Sequence, residues 1–200
     1  SGSSNGRNIT PVPTNGLVLN VELAAQFPTG PLGVRSADSI TLASDTVAQF
    51  ASPAGHALLK YLAICALPET DALTAGTRRF AGYYGFAPEW ERSSCGETCQ
   101  HWISACLLAH ANADGMPFPI SLRGEHAALD PSPKVVAEFT YQEAAYYGNI
   151  FHRQLYACVG ADAQHASAND AARFLNGRIC GPFSGGNCGI AATGFCASPQ

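Results

Sequence analysis

The segment Cys95-Gly96-Glu97-Thr98-Cys99-Gln100-His101-Trp102 carries the residue types best suited to nucleophilic chemistry. It leads into a run with helical apolar spacing, which puts Cys99 in the first turn. Exposed backbone N–H groups and the helix dipole stabilise a thiolate there, and the thiolate is the attacking form. His126 or His152 would serve as base and Asn149 would orient it, with only His126 keeping the order Cys, His, Asn. The competing reading is that Cys95 and Cys99 are both disulfide-bonded. The chain has eight cysteines, so a free Cys99 would force a second one to stay unpaired.

This arrangement resembles that of papain-like proteases, in which Cys-Gly-x-Cys-Trp opens a helix and a distant His and Asn complete the site. Here the two cysteines stand one residue further apart, and Trp102 does not directly follow the second.

Three other groupings could act on a ligand. Glu89 and Glu91 flank Trp90, and alternation along an extended turn would bring both carboxylates to one side, about 6–7 Å apart. A glycosidase pair further requires one acid kept protonated by its surroundings. Tyr83, Tyr84, Phe86 and Trp90 lie close together beside Arg78-Arg79, and with Glu89 they could form an aromatic platform for sugar rings or an extended partner. The alternative is that these rings are core. Tyr141, Tyr146 and Tyr147 make a second cluster, with Asn149 and Arg153 as polar neighbours. The six histidines show no zinc-type spacing, although Glu125-His126 could meet Glu143 and His152 across the fold. No metal or cofactor is therefore expected. His110 closes an apolar helix face and reads as a core histidine bonded to a backbone carbonyl.

Composition narrows the class of protein. Eight cysteines beside only 13% charged residues indicate an exported chain stapled by up to four bridges. Hydrophobic residues make up 46%, enough for a sizeable core, so the bridges supplement that core. The net charge is −4 and basic residues are scattered, which argues against nucleic acid and anionic membranes as partners. No segment reaches the ~18 apolar residues of a membrane span. Neither a Gly-rich phosphate loop nor a Gly-x-Ser-x-Gly elbow is present.

The elements that would position these groups can be read from caps, breakers and periodicity. Residues 1–16 form a polar leader, the kind of segment left when a signal or lipid anchor is lost. Residues 17–179 are the expected globular domain, and 180–200 a Cys/Gly-rich extension tied by disulfides. Residues 17–23 alternate as a strand, while 39–50 fit strand or helix. Ser52-Pro53 opens a helix that Pro68 stops. Residues 80–86 suit a hairpin or packed loop, and Trp90 should seat against the core. In the next helix Cys99, Ile103, Cys106, Leu107 and His110 share a buried face, with Ser94 or Thr98 as cap. Residues 116–122 read as an edge strand. Thr140-Tyr141-Gln142-Glu143 has the form of a capping box, predicting a short helix that ends at Gly148. Residues 150–159 read as a strand, and a last helix runs from Ser167 to Asn176-Gly177.

Eight cysteines allow 105 connectivities. Cys99 and Cys106 are seven residues apart on one helix, about 10 Å, beyond the ~7 Å limit for a bridge. Closure of Cys95 with Cys99 looks awkward inside a helix. Cys65 is a plausible mate for Cys106.

At Ala87-Pro88-Glu89-Trp90, Ser104-Ala105-Cys106-Leu107-Leu108-Ala109, Ile120-Ser121-Leu122-Arg123-Gly124 and Tyr147-Gly148-Asn149 the chain resembles a group of uncharacterised, cysteine-containing exported bacterial proteins. The likeness spans residues 52–159 and implies an extracytoplasmic location, with no activity attached. The expected architecture is α+β, a helix-rich centre on a small, mostly antiparallel, disulfide-stapled sheet. The expected function is a non-catalytic exported or cell-surface module, structural or binding an extracellular protein or saccharide. The alternative is a secreted cysteine-dependent hydrolase built on Cys99.

Overall fold

A computed structural model describes residues 14–130, 132–160, 168–180 and 188–196. The leader at 1–13 and parts of the C-terminal extension lie outside the described residues. In chain order the elements are β1 (Thr14–Asn15), α1 (Val21–Ala24), β2 (Val34–Arg35), β3 (Ser39–Thr41), α2 (Ser44–Gln49), α3 (Pro53–Ala66), β4 (Ala72–Ala75) and β5 (Arg78–Ala81). They continue with α4 (Glu97–His110), β6 (Phe118–Pro119), α5 (Pro133–Glu138), β7 (Ala144–Asn149), β8 (Gln154–Val159), α6 (Ala168–Cys180) and β9 (Ile190–Phe195). The chain is α+β, and antiparallel strand pairs outnumber parallel ones. Its strands divide among three small sheets, ordered β1-β6, β2-β3-β4-β5 and β7-β8-β9.

Helices α3 and α4 form the centre. Ser52 caps α3 by accepting from the Gly55 N–H, and Pro53 occupies the first turn, where no N–H is needed. Leu58, Leu59 and Leu62 of α3 and Ile103, Leu107 and Leu108 of α4 are fully buried. Cys65 and Cys106 bridge the two helices with Cα atoms 5.9 Å apart. This is the pairing expected from their inward-facing positions.

The start of α4 departs from expectation. Its cap is Gly96, and neither Ser94 nor Thr98 caps it. Cys95 bonds to Cys99 across a Cα separation of 5.3 Å. The bridge is geometrically easy because Cys95 stands before the helix, where the backbone has already left helical geometry. Gln100 then reaches back, donating to the Cys95 carbonyl at 2.8 Å.

Residues 140–149 overturn the capping-box prediction, for they form no helix. Ala144–Asn149 pairs antiparallel with Gln154–Val159, and Tyr147 stacks on Tyr156 directly opposite at 5.4 Å. Cross-strand aromatic packing outweighs the local cap signal. Glu143 is also committed elsewhere, accepting from Arg178 at 2.6 Å. Gly148 has φ 109° inside the strand, and a Cβ there would sit 2.1 Å from the Gln154 carbonyl oxygen. Only glycine fits, so this residue serves strand pairing and does not end a helix.

Other boundaries shift for similar reasons. Residues 17–23 hold only an isolated Leu17–Ala111 bridge before Asn20 caps α1. The ambiguous 39–50 segment splits into β3 and α2. Within 116–122 only Phe118–Pro119 pairs, against Thr14–Asn15. In 150–159 a 3-10 turn, Ile150–His152, precedes the strand. Helix α6 runs past Asn176-Gly177 to Cys180.

Candidate functional site

All eight cysteines are paired, as Cys65–Cys106, Cys95–Cys99, Cys158–Cys196 and Cys180–Cys188, and none is free. Cys99 thus presents no thiol for attack. The other two members of the proposed triad have structural duties. His126 packs edge-on against Phe86 and Trp102 at 4.9 and 4.8 Å, and its Nδ1 accepts from the Ala128 N–H. Asn149 is buried, donating to Gln100 Oε1 at 2.8 Å and accepting from the Phe151 N–H at 3.0 Å. The geometry assembles no cysteine-hydrolase site.

The aromatic platform at residues 83–90 is not assembled either. Trp90 has no exposed surface and donates to the Gly30 carbonyl at 2.8 Å. Tyr84 stacks on the buried Phe86 at 5.0 Å, and Tyr83 meets Tyr84 edge-on. Glu89 stays exposed, but its aromatic neighbour has turned into the core.

Glu91 does find a carboxylate partner, and it is Asp71. Arg35 Nη1 binds both, at 2.8 Å to Asp71 and 2.6 Å to Glu91. The Arg35 hydrogen bond holds the Asp71 carboxyl below its usual range, while burial pushes Glu91 up. Two acids gripping one guanidinium nitrogen leave no space for a sugar between them, whereas glycosidase pairs stand ~5 Å or more apart. The cluster clamps the Trp90 turn to β2 and the residue preceding β4. A carboxyl raised in the folded state lends stability at low pH that disappears as pH rises through its folded pKa. Glu91→Gln keeps the shape and removes that titration. The variant's melting temperature relative to wild type should therefore climb as pH rises above the ordinary glutamate range, from about pH 4. A difference that falls over this window in thermal melts would refute the assignment.

His110 is the core histidine expected, with no exposed surface and Nδ1 3.1 Å from the Thr14 carbonyl oxygen. Burial pushes its pKa down to about 4, so it is neutral.

A wide concave feature lies elsewhere. A groove of about 1100 Å³ runs along α4, with Trp102, Ala105, Cys106 and Ala109 as its floor. These positions follow i, i+3, i+4, i+7 and share one helix face. The two alanines leave the space that larger residues would fill. One wall is the 118–123 segment and the other the end of α5 with the chain that follows it, 138–146. Phe118 and Tyr141 stand at the mouth, 54% and 60% exposed.

Arg178 of α6 closes one end. It pairs with Glu143 and donates to the carbonyls of Ala109 and Ala111, satisfying the end of α4. Its guanidinium lies 5.6 Å from the Tyr146 ring centre. Tyr146 lines the groove, and its buried hydroxyl has no hydrogen-bond partner among the described residues. Burial raises its pKa, so the phenol keeps its proton as a donor. Tyr141 and Tyr146 thus lie on non-helical chain, where the capping-box pattern predicts a helix. The small residues at 105 and 109, next to Trp102, were the available sign of an open helix face.

Comparison of the chain with protein-family models, curated proteins and solved structures finds no match. Four disulfides are present, and no helix among the described residues is long and apolar enough to cross a membrane.

Proposed function

We propose that this protein is an exported, non-catalytic binding module whose groove along α4 takes a neutral saccharide. The groove carries the reading: an aromatic and apolar cleft with a few convergent polar groups is the usual form of a small-ligand site. Its volume suits several sugar rings. Trp102, Phe118 and Tyr141 offer faces for C–H-rich sugar surfaces, and Asn112, Asp114 and Gln142 supply polar atoms at the lining. Charge disfavours an anionic ligand. Arg178 is matched by Glu143, and the remaining lining charges are Asp114, Glu138 and Arg123. Four disulfides support an oxidising, extracytoplasmic setting.

Titrating neutral oligosaccharides by calorimetry tests this. A hit should weaken about tenfold or more in Phe118→Ala/Tyr141→Ala, which removes two stacking faces. Binding only of apolar peptides, or saccharide binding indifferent to Phe118 and Tyr141, would sink the proposal.

A further inference from the structure

The Cys65–Cys106 bridge has a neighbour that its structural role leaves unexplained. A ring nitrogen of His110 and both sulfurs lie within 4.8 Å of one another, and all three residues are buried. His110 Nδ1 is engaged by the Thr14 carbonyl, which fixes the proton there and leaves the lone pair on Nε2. Nε2 has no partner among the described residues, although its residue is fully enclosed. An imidazole oriented by a backbone carbonyl with its other nitrogen free is the usual disposition of a metal-ligating histidine. Tyr61 and Tyr84 flank the ring at 5.1 and 5.9 Å and hold its plane.

We infer that, when the bridge is reduced, Cys65, Cys106 and His110 form a binding site for a thiophilic d10 cation, Zn2+ or Cu+. A dithiol reductant supplies two electrons and two protons. The S–S bond breaks, two thiols form, and the reductant leaves as its own cyclic disulfide. The cation then displaces the thiol protons to solvent, making two metal–sulfur bonds and one bond to the imidazole nitrogen. Zn2+ with two thiolates is neutral, which suits a dry site. The sulfurs need only part to about 3.7 Å, the spacing set by ~2.3 Å bonds in tetrahedral geometry. Cys106 lines the groove floor, which gives the cation a route in and leaves a side for a further ligand. The same residues thus clasp α3 to α4 in two ways, by a disulfide under oxidising conditions and by a metal under reducing ones.

The test is alkylation with peptide mapping. The folded protein is reduced with a dithiol, incubated with Zn2+ or with Cu+, and then alkylated. Cys65 and Cys106 should be protected at least tenfold by one of the cations, and His110→Gln should abolish that protection while circular dichroism stays unchanged. Equal protection in the variant overturns the site. So does protection by neither ion, or a bridge that stays closed at every dithiol level at which the chain remains folded. Should His110→Gln not fold, X-ray absorption of the wild-type zinc form decides. A shell with two sulfurs and an imidazole is expected, and one lacking nitrogen overturns the inference.

Discussion

Replacing Cys65 and Cys106 together by alanine should destabilise the protein by about 4 kcal/mol, measured by urea unfolding. The bridge closes a loop of 41 residues, and the chain-entropy cost restored to the unfolded state grows with the logarithm of that length. It links the two longest helices at their buried faces. The Cys95–Cys99 bridge spans only four residues, and its removal should cost distinctly less. A double alanine variant at 65 and 106 with a wild-type midpoint would show that packing alone holds α3 against α4. The comparison also bears on the reduced state. A loss of this size lies at or below the usual 5–15 kcal/mol of net stability, so opening this one bridge alone should leave the chain folded and the two thiols accessible to metal.

Asn149→Ala should cost about 3 kcal/mol, for a reason the sequence did not disclose. The side chain belongs to a buried polar chain that fastens α4 to the β7–β8 turn. Its Nδ2 donates to Gln100 Oε1, and its Oδ1 accepts from the Phe151 N–H. Gln100 donates onward to the Cys95 carbonyl, and Ser104 Oγ accepts from the Ile150 N–H. Truncation strands a donor on Phe151 and an acceptor on Gln100, each away from water, and each such orphan costs about 1–3 kcal/mol. Asn149→Asp removes only the donor and places a charge against Gln100 Oε1, so it should be no milder. Chemical denaturation of both variants checks the point. Stability within ~0.5 kcal/mol of wild type would mean that the network is slack and that Asn149 is free for another task.

The sequence determined what depends on local pattern and composition. Eight cysteines and sparse charge announced a disulfide-stapled chain, and the apolar stripes with their stops located α3 and α4 closely. The inward faces of those helices carried Cys65, Cys106 and His110 to the core, because helical period fixes which side chains meet. Where local signals compete with distant ones, the sequence misled. Thr140 and Glu143 spell a helix cap, yet strand pairing with residues 154–159 and the Arg178 ion pair claim that stretch. Trp90 and the tyrosines at 83 and 84 look alike as surface or core until the packing partner is known. Glu91 meets Asp71 across 20 residues, a pairing that no spacing rule predicts. The groove is the clearest case. Its floor lies on one helix, its walls on segments up to 44 residues from Trp102, and its closing arginine, 76 residues away, on α6. Tertiary structure alone decided it, since a concavity is a property of elements brought together and exists in none of them separately.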